Sequence, residues 1–133
     1  MKVLTFGVFD LLHVGHVELF RRARNLGDCL MVAVQDDDSV EKYKPGSRPV
    51  LTTADRLCLV KAIRYVDEVA VYRDVDRFVI QVDFDILVTG PDQTHAGFQR
   101  AIAWCREHGK QTVVLPRTEG VSSSSLKNII RQK

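Results

Sequence analysis

Five short apolar runs recur along the chain: "KVLTFGVF" (2–9), "CLMVAV" (29–34), "EVAV" (68–71), "FDILVTG" (84–90) and "QTVVL" (111–115). They are nearly continuous in apolar character, as strands covered on both faces are; a strand with one wet face would alternate. Helical patterns fall between them. In 16–26, Leu19, Phe20, Ala23 and Leu26 share a face and Gly27 is a natural stop. In 53–65, Leu57, Val60 and Ile63 form a stripe behind a threonine N-cap, and in 96–108 Phe98, Ala101, Ile102 and Cys105 do the same before Gly109. A last short helix is expected from about Ser122, and 74–81 has the weakest pattern. Strand alternating with helix predicts a single Rossmann-like α/β domain over 1–133: an open, parallel, five-stranded sheet with helices on both faces.

One segment breaks the alternation, "QDDDSVEKYKPGSRPVL" (35–51). An irregular connection of that length in so short a chain points to a binding loop or lid. Net charge is only +2, so nothing global argues for a nucleic acid as partner, and any anion site must come from local placement. Cys29, Cys58 and Cys105 are odd in number and lie in apolar stretches, which suits buried free thiols in a reducing compartment. The start "MKVLTFGVFD" lacks the apolar core of a signal peptide, and no run approaches the ~18 residues of a membrane span. A cytoplasmic protein without membrane insertion is expected.

The chemistry is concentrated in "FDLLHVGH" (9–16), where strand gives way to helix. In an open parallel sheet ligands bind beyond the carboxyl ends of the strands. A helix N-terminus there offers unpaired amides and partial positive charge, and Gly15 would let an anion approach the backbone. His13 and His16, three residues apart, would project from one side of the first turn and donate to a phosphate. A zinc site would need further ligands that the neighbourhood lacks. No Gly-x-Ser-x-Gly elbow, Walker A sequence or Gly-x-Gly-x-x-Gly fingerprint occurs.

Two more stretches, "IRYVDEV" (63–69) and "PRTEGVSSSSLK" (116–127), join "FDLLHVGH" in the right order. Together they resemble the three signatures of the glycerol-3-phosphate cytidylyltransferase family, within the wider nucleotidyltransferase superfamily that shares the His-x-Gly-His motif. The resemblance covers essentially the whole chain. It implies transfer of CMP from CTP to a small phosphorylated alcohol, glycerol 3-phosphate first, with release of pyrophosphate. It also implies Mg²⁺ accompanying CTP, with no dedicated metal ligands in the chain, and a homodimer.

Carried over residue by residue, the resemblance puts the nucleotide on Val8, Phe9, His13, Val14, Gly15, His16, Lys44, Asp92 and Arg117. Thr118, Glu119, Gly120, Val121, Ser122, Ser123 and Ser124 complete that set as a cradle for the β- and γ-phosphates. His13, His16, Lys44 and Arg117 would stabilise the transferred phosphorus. Lys42 would serve the acceptor phosphate; in an extended segment it and Lys44 would face the same way. Arg64 and Asp67 would form an ion pair near the dimer contact, and Arg56 is a weaker site candidate. The pattern departs from the family at two points. Val14 stands where the family has Trp, and "VYRDVDRFVIQ" (71–81) lacks its acceptor-side lysine, leaving Arg77 and Arg73 as the nearby cations. Other readings are another CTP- or ATP-dependent nucleotidyltransferase, acting on a polyol phosphate, hydroxyalkylphosphonate, sugar phosphate or cofactor precursor, and a non-catalytic nucleotide-binding module.

Overall fold

A computed structural model describes residues 1–117. Its five parallel strands are β1 (Lys2–Gly7), β2 (Cys29–Gln35), β3 (Glu68–Tyr72), β4 (Ile86–Thr89) and β5 (Gln111–Val114), in the order β3-β2-β1-β4-β5. The helices are α1 (Val14–Arg24), α2 (Asp37–Tyr43), α3 (Thr53–Lys61), α4 (Val75–Val79) and α5 (Ala96–Glu107). This is the Rossmann-like α/β arrangement expected from the alternation of patterns.

Period-two alternation along the central strands sends side chains to two cores. Val3, Leu30, Val32, Val34, Ile86 and Val88 pack with Phe20, Ala23 and Val60 of α1 and α3. Leu4, Phe6, Ala33 and Leu87 face the other way, against Val75, Val79, Phe98, Ala101 and Cys105 of α4 and α5. The chain order runs outward from β1 through β2 and β3, then returns to place β4 on β1's other side. The reversal makes the gap between β1 and β4 the topological switch point, where such sheets bind ligands.

Several expectations are corrected. The first strand ends at Gly7, not residue 9, because Phe9 adopts φ 54° and folds back. Helix α1 starts at Val14 and ends on Asn25, since both histidines are spent on its first turn. The segment 35–51 is not wholly irregular: Asp36 accepts from the Ser39 amide and starts α2. Cys58 is exposed, unlike buried Cys105. Asp67 pairs with Arg24 at 2.9 Å, not with Arg64, and accepts the Leu30 amide. Arg64 instead lies over the Tyr65 ring. The helix expected near Ser122 lies outside the described residues. Among the described residues no helix is long and apolar enough to cross a membrane.

Arg56 is 0% exposed and ties the carboxyl edge together. Its guanidinium donates to Val8 O and Gln35 O at 2.7 Å, to Leu51 O at 3.1 Å and to Asp37 Oδ1 at 2.5 Å. Burial pushes the Asp37 carboxyl up, but the Arg56 and Thr53 hydrogen bonds outweigh it and hold the group below its ordinary range. The ends of β1 and β2, the start of α2 and the chain before α3 therefore share one cation. Arg56→Met should strand three carbonyls and a carboxylate, costing about 3–5 kcal/mol. Arg56→Lys, with no planar fork, should recover only part of that in urea denaturation. A wild-type midpoint in Arg56→Met would contradict this role.

Candidate active site

The β1–α1 connection is held in an unusual shape. Phe9 (φ 54°) and Leu11 (φ 51°) both occupy the left-handed region that bulky side chains avoid. Glycine is required at position 7, where a Cβ would lie 2.6 Å from the Phe9 ring. Phe9 is buried and packs edge-on against His16 and Phe20 at 5.6 and 5.1 Å. Asp10, also buried, accepts the Val50 and Leu51 amides at 2.7 and 3.0 Å. It thereby clamps the far end of the 35–51 segment onto the loop before the histidines.

His13 is the N-cap of α1 and its Nδ1 accepts the Gly15 amide at 3.0 Å. His16 Nδ1 accepts the His13 amide at 3.2 Å, closing a reciprocal capping box. The rings stack at 3.9 Å. This corrects the expected source of donors: the Gly15 amide is taken by an imidazole, and the His16 and Val17 amides by His13 O. What the turn offers instead is two Nε2–H groups, since an Nδ1 that accepts carries no proton. Burial, and then the neighbouring His13, pulls His16 down to about 4, and burial lowers His13 as well. Both rings are therefore neutral at pH 7. Among the described residues His13 Nε2 is buried with no hydrogen-bond partner, a donor awaiting an acceptor.

Across the switch point, Gln93 fills the divergence of β1 and β4. Its amide donates to Phe6 O at 2.7 Å and accepts the Gly90 N–H at 3.0 Å. His95 then caps α5 as His13 caps α1, its Nδ1 accepting the Gly97 amide at 3.1 Å. Asp92 and Arg117 form an ion pair on this edge. They meet each other, both more than half exposed, and an exposed pair of this kind contributes about 0–1 kcal/mol.

The lysine pair is not extended. Lys42 lies in α2 and Lys44 is its C-cap, and positions two apart on a helix do not face the same way. Lys42 borders a cavity of about 340 Å³ between α2 and the β3–α4 turn, together with Arg77 and Arg73. The two residues expected on the acceptor side are thus brought together, while Lys44 is set apart from them. Between the lysines, Tyr43 donates to Asp74 and stacks on His95 at 5.8 Å, joining α2 to the start of α5. Val14, where the resembling family has Trp, is 59% exposed. Thr118, Glu119, Gly120, Val121, Ser122, Ser123 and Ser124 lie outside the described residues.

Asp10, Gln93, His95 and Tyr43 were not singled out from the sequence. His95 had a visible signal: "HAG" (95–97) repeats the "HVG" (13–15) pattern at a second helix start. Gln93 and Asp10 act on backbone amides and carbonyls up to 87 residues away, which no local pattern displays.

Residues 4–129 match the cytidylyltransferase-like family. The chain is 43% identical over 122 residues to a bifunctional protein HldE of Streptomyces coelicolor, covering 90% of this chain and 26% of that protein. It thus spans about a quarter of the length of the HldE relatives. It is 36% identical over 133 residues to the glycerol-3-phosphate cytidylyltransferase of Bacillus subtilis, covering 97% and 96% of the two chains. Among solved structures, the lipopolysaccharide core biosynthesis protein of Thermoplasma volcanium GSS1 gives a TM-score of 0.73 at 28% identity, over 89% of this chain and 96% of that one.

The lowered imidazole pKa values carry a definite sign. Below pH 6.5 the unfolded chain binds protons that folded His16 refuses until about pH 4, so stability is full above 6.5 and declines as pH falls through that window. The melting temperature should fall by about 5 °C between pH 7.5 and 5.0, and less steeply in His16→Gln, whose side chain cannot titrate. Equal slopes in the two proteins would contradict the assignment.

Proposed function

Since the chain belongs to the cytidylyltransferase-like family, and so is a nucleotidyltransferase, we propose that it transfers CMP from CTP to a small phosphorylated alcohol. Glycerol 3-phosphate is the first acceptor to test, on the 36% identity to the B. subtilis enzyme. An acceptor phosphate oxygen attacks the α-phosphorus in line. The bond from that phosphorus to the bridging oxygen breaks, and pyrophosphate leaves. The nucleophile is already an anion near neutral pH, so the chain need not supply a base. Its work is to hold two mutually repelling anions together and to meet charge moving onto the transferred group.

The observation that carries this reading is the neutral, capped imidazole pair at the switch point, with His13 Nε2 buried and, among the described residues, unpartnered. Neutral N–H donors fixed by a helix turn stabilise a five-coordinate phosphorus without a proton being lost to it. Lys44 and Arg117 supply full charges to the triphosphate, and Val8 and Phe9 a floor beneath the nucleoside. Lys42 and Arg77 take the acceptor phosphate. Among the described residues no group of three or more His, Cys, Asp or Glu could hold a metal ion. Mg²⁺ entering on the triphosphate fits such a site with phosphate oxygens and water as ligands, and there it would offset phosphate charge.

A sugar phosphate as acceptor is the second reading, favoured by the 43% identity to HldE and by the lipopolysaccharide-related structural neighbour. Cytoplasmic location and a homodimer belong to the proposal too. The dimer is supported by exposed Val71 on edge strand β3 and exposed Leu59 on α3; sedimentation should give a dimer, and a monomer would contradict it.

Pyrophosphate release should be measured with CTP or ATP as donor and glycerol 3-phosphate or glucose 1-phosphate as acceptor. We expect turnover with CTP; release with ATP alone would overturn the donor assignment. His13→Ala and His16→Ala should each lower kcat by about 10²–10³-fold. CTP binding without turnover of any acceptor would favour a non-catalytic module.

A further inference from the structure

The cavity between α2 and the β3–α4 turn holds three carboxylates and three cations, and most of that charge is already paired. Asp36 accepts the Ser39 amide at 2.8 Å and lies 3.3 Å from Arg73. Asp74 takes the Tyr43 hydroxyl and sits 3.9 Å from Lys42. Among the described residues, the side chains of Asp38 and Arg77 have neither an ion pair nor a hydrogen bond, and both are exposed. Asp38 and Lys42 are four apart on α2 and therefore share a face. Ser39, also in the lining, is buried next to Asp38.

We propose that Asp38 is a specificity-determining residue that accepts hydroxyl groups of the acceptor, so the site selects polyhydroxylated phosphates. This rests on the nucleotidyl-transfer reading above. A phosphate held by Arg77 and Lys42 sets a dianion near the Asp38 carboxylate. Hydroxyls on the same molecule, donating to Asp38, turn that repulsion into a charge-assisted hydrogen bond. A phosphomonoester without hydroxyls leaves Asp38 unpaired. An ammonium-bearing acceptor would face Lys42, Arg73 and Arg77 with a single uncommitted carboxylate to hold it. The chemistry is common to glycerol 3-phosphate and sugar phosphates, whose hydroxyls differ in number and reach.

The test compares glycerol 3-phosphate, glucose 1-phosphate, propyl phosphate and phosphoethanolamine in wild type and Asp38→Asn. In turnover with CTP, the variant should raise KM for the preferred hydroxylated acceptor about 10-fold or more and leave the KM of CTP within about twofold. With propyl phosphate, which has no hydroxyl to relieve the repulsion, the variant should bind at least as well as wild type. Protein-observed NMR titration with each compound, without nucleotide, judges the inference even if no turnover occurs; absence of turnover would count against the proposed function alone. In that titration wild type should prefer a hydroxylated phosphate over propyl phosphate, and Asp38→Asn should lose the preference. A preference retained in Asp38→Asn, or wild type favouring phosphoethanolamine, would overturn the inference. Which hydroxylated ligand wins separates the triol phosphate from the sugar phosphate.

Discussion

Two imidazole nitrogens accepting backbone amides fix the chemistry of the site. Because Nδ1 of His13 and Nδ1 of His16 are acceptors in the first turn of α1, each ring must carry its proton on Nε2, and neither can charge without breaking the cap. Burial reinforces this by lowering both pKa values. One local arrangement thus starts the helix, selects the tautomer and leaves two neutral Nε2–H donors on its first turn. A helix with a serine or aspartate cap would have the same stability signal and none of these donors.

The surroundings maintain that arrangement through contacts that are distant in sequence. Phe9 supports the His16 ring only because Gly7 leaves room and the backbone accepts a positive φ at Phe9 and Leu11. Strain of this kind costs of order 1–3 kcal/mol per residue and persists where the neighbours over-determine the conformation. Asp10 and Arg56 do so here, one gripping the Val50 and Leu51 amides, the other the Val8, Gln35 and Leu51 carbonyls. On the other wall, Gln93 bridges the ends of β1 and β4 and His95 repeats the imidazole cap. The carboxyl edge of the sheet is therefore a set of dipoles held in fixed positions, the preorganisation that the proposed nucleotidyl transfer calls for.

How much of this was legible in the residues varied with the range of the interaction involved. The strands and longer helices were, because near-continuous runs such as "CLMVAV" and the stripe Phe98, Ala101, Ile102, Cys105 record burial directly. Helix α2 was hidden: its start depends on Asp36 capping Ser39, and seven residues with four charges show little apolar period. The Lys42/Lys44 geometry was misread for the same reason. The histidine pair stood out as a motif, but the capping box and the neutral tautomers required coordinates. Arg56 stood out only as a weaker site candidate; its full burial goes with hydrogen bonds to Val8, Gln35, Asp37, Leu51 and Thr53, most of them distant in sequence.

Imidazole ¹⁵N chemical shifts with two-bond ¹H–¹⁵N correlations read directly, at pH 7, where the two ring protons sit. His13 and His16 should both display the pattern of a neutral ring protonated at Nε2, with Nδ1 bare. An imidazolium pattern, or a proton on Nδ1 of either ring, would contradict the account, because the capping box and the donor pair would then not exist together.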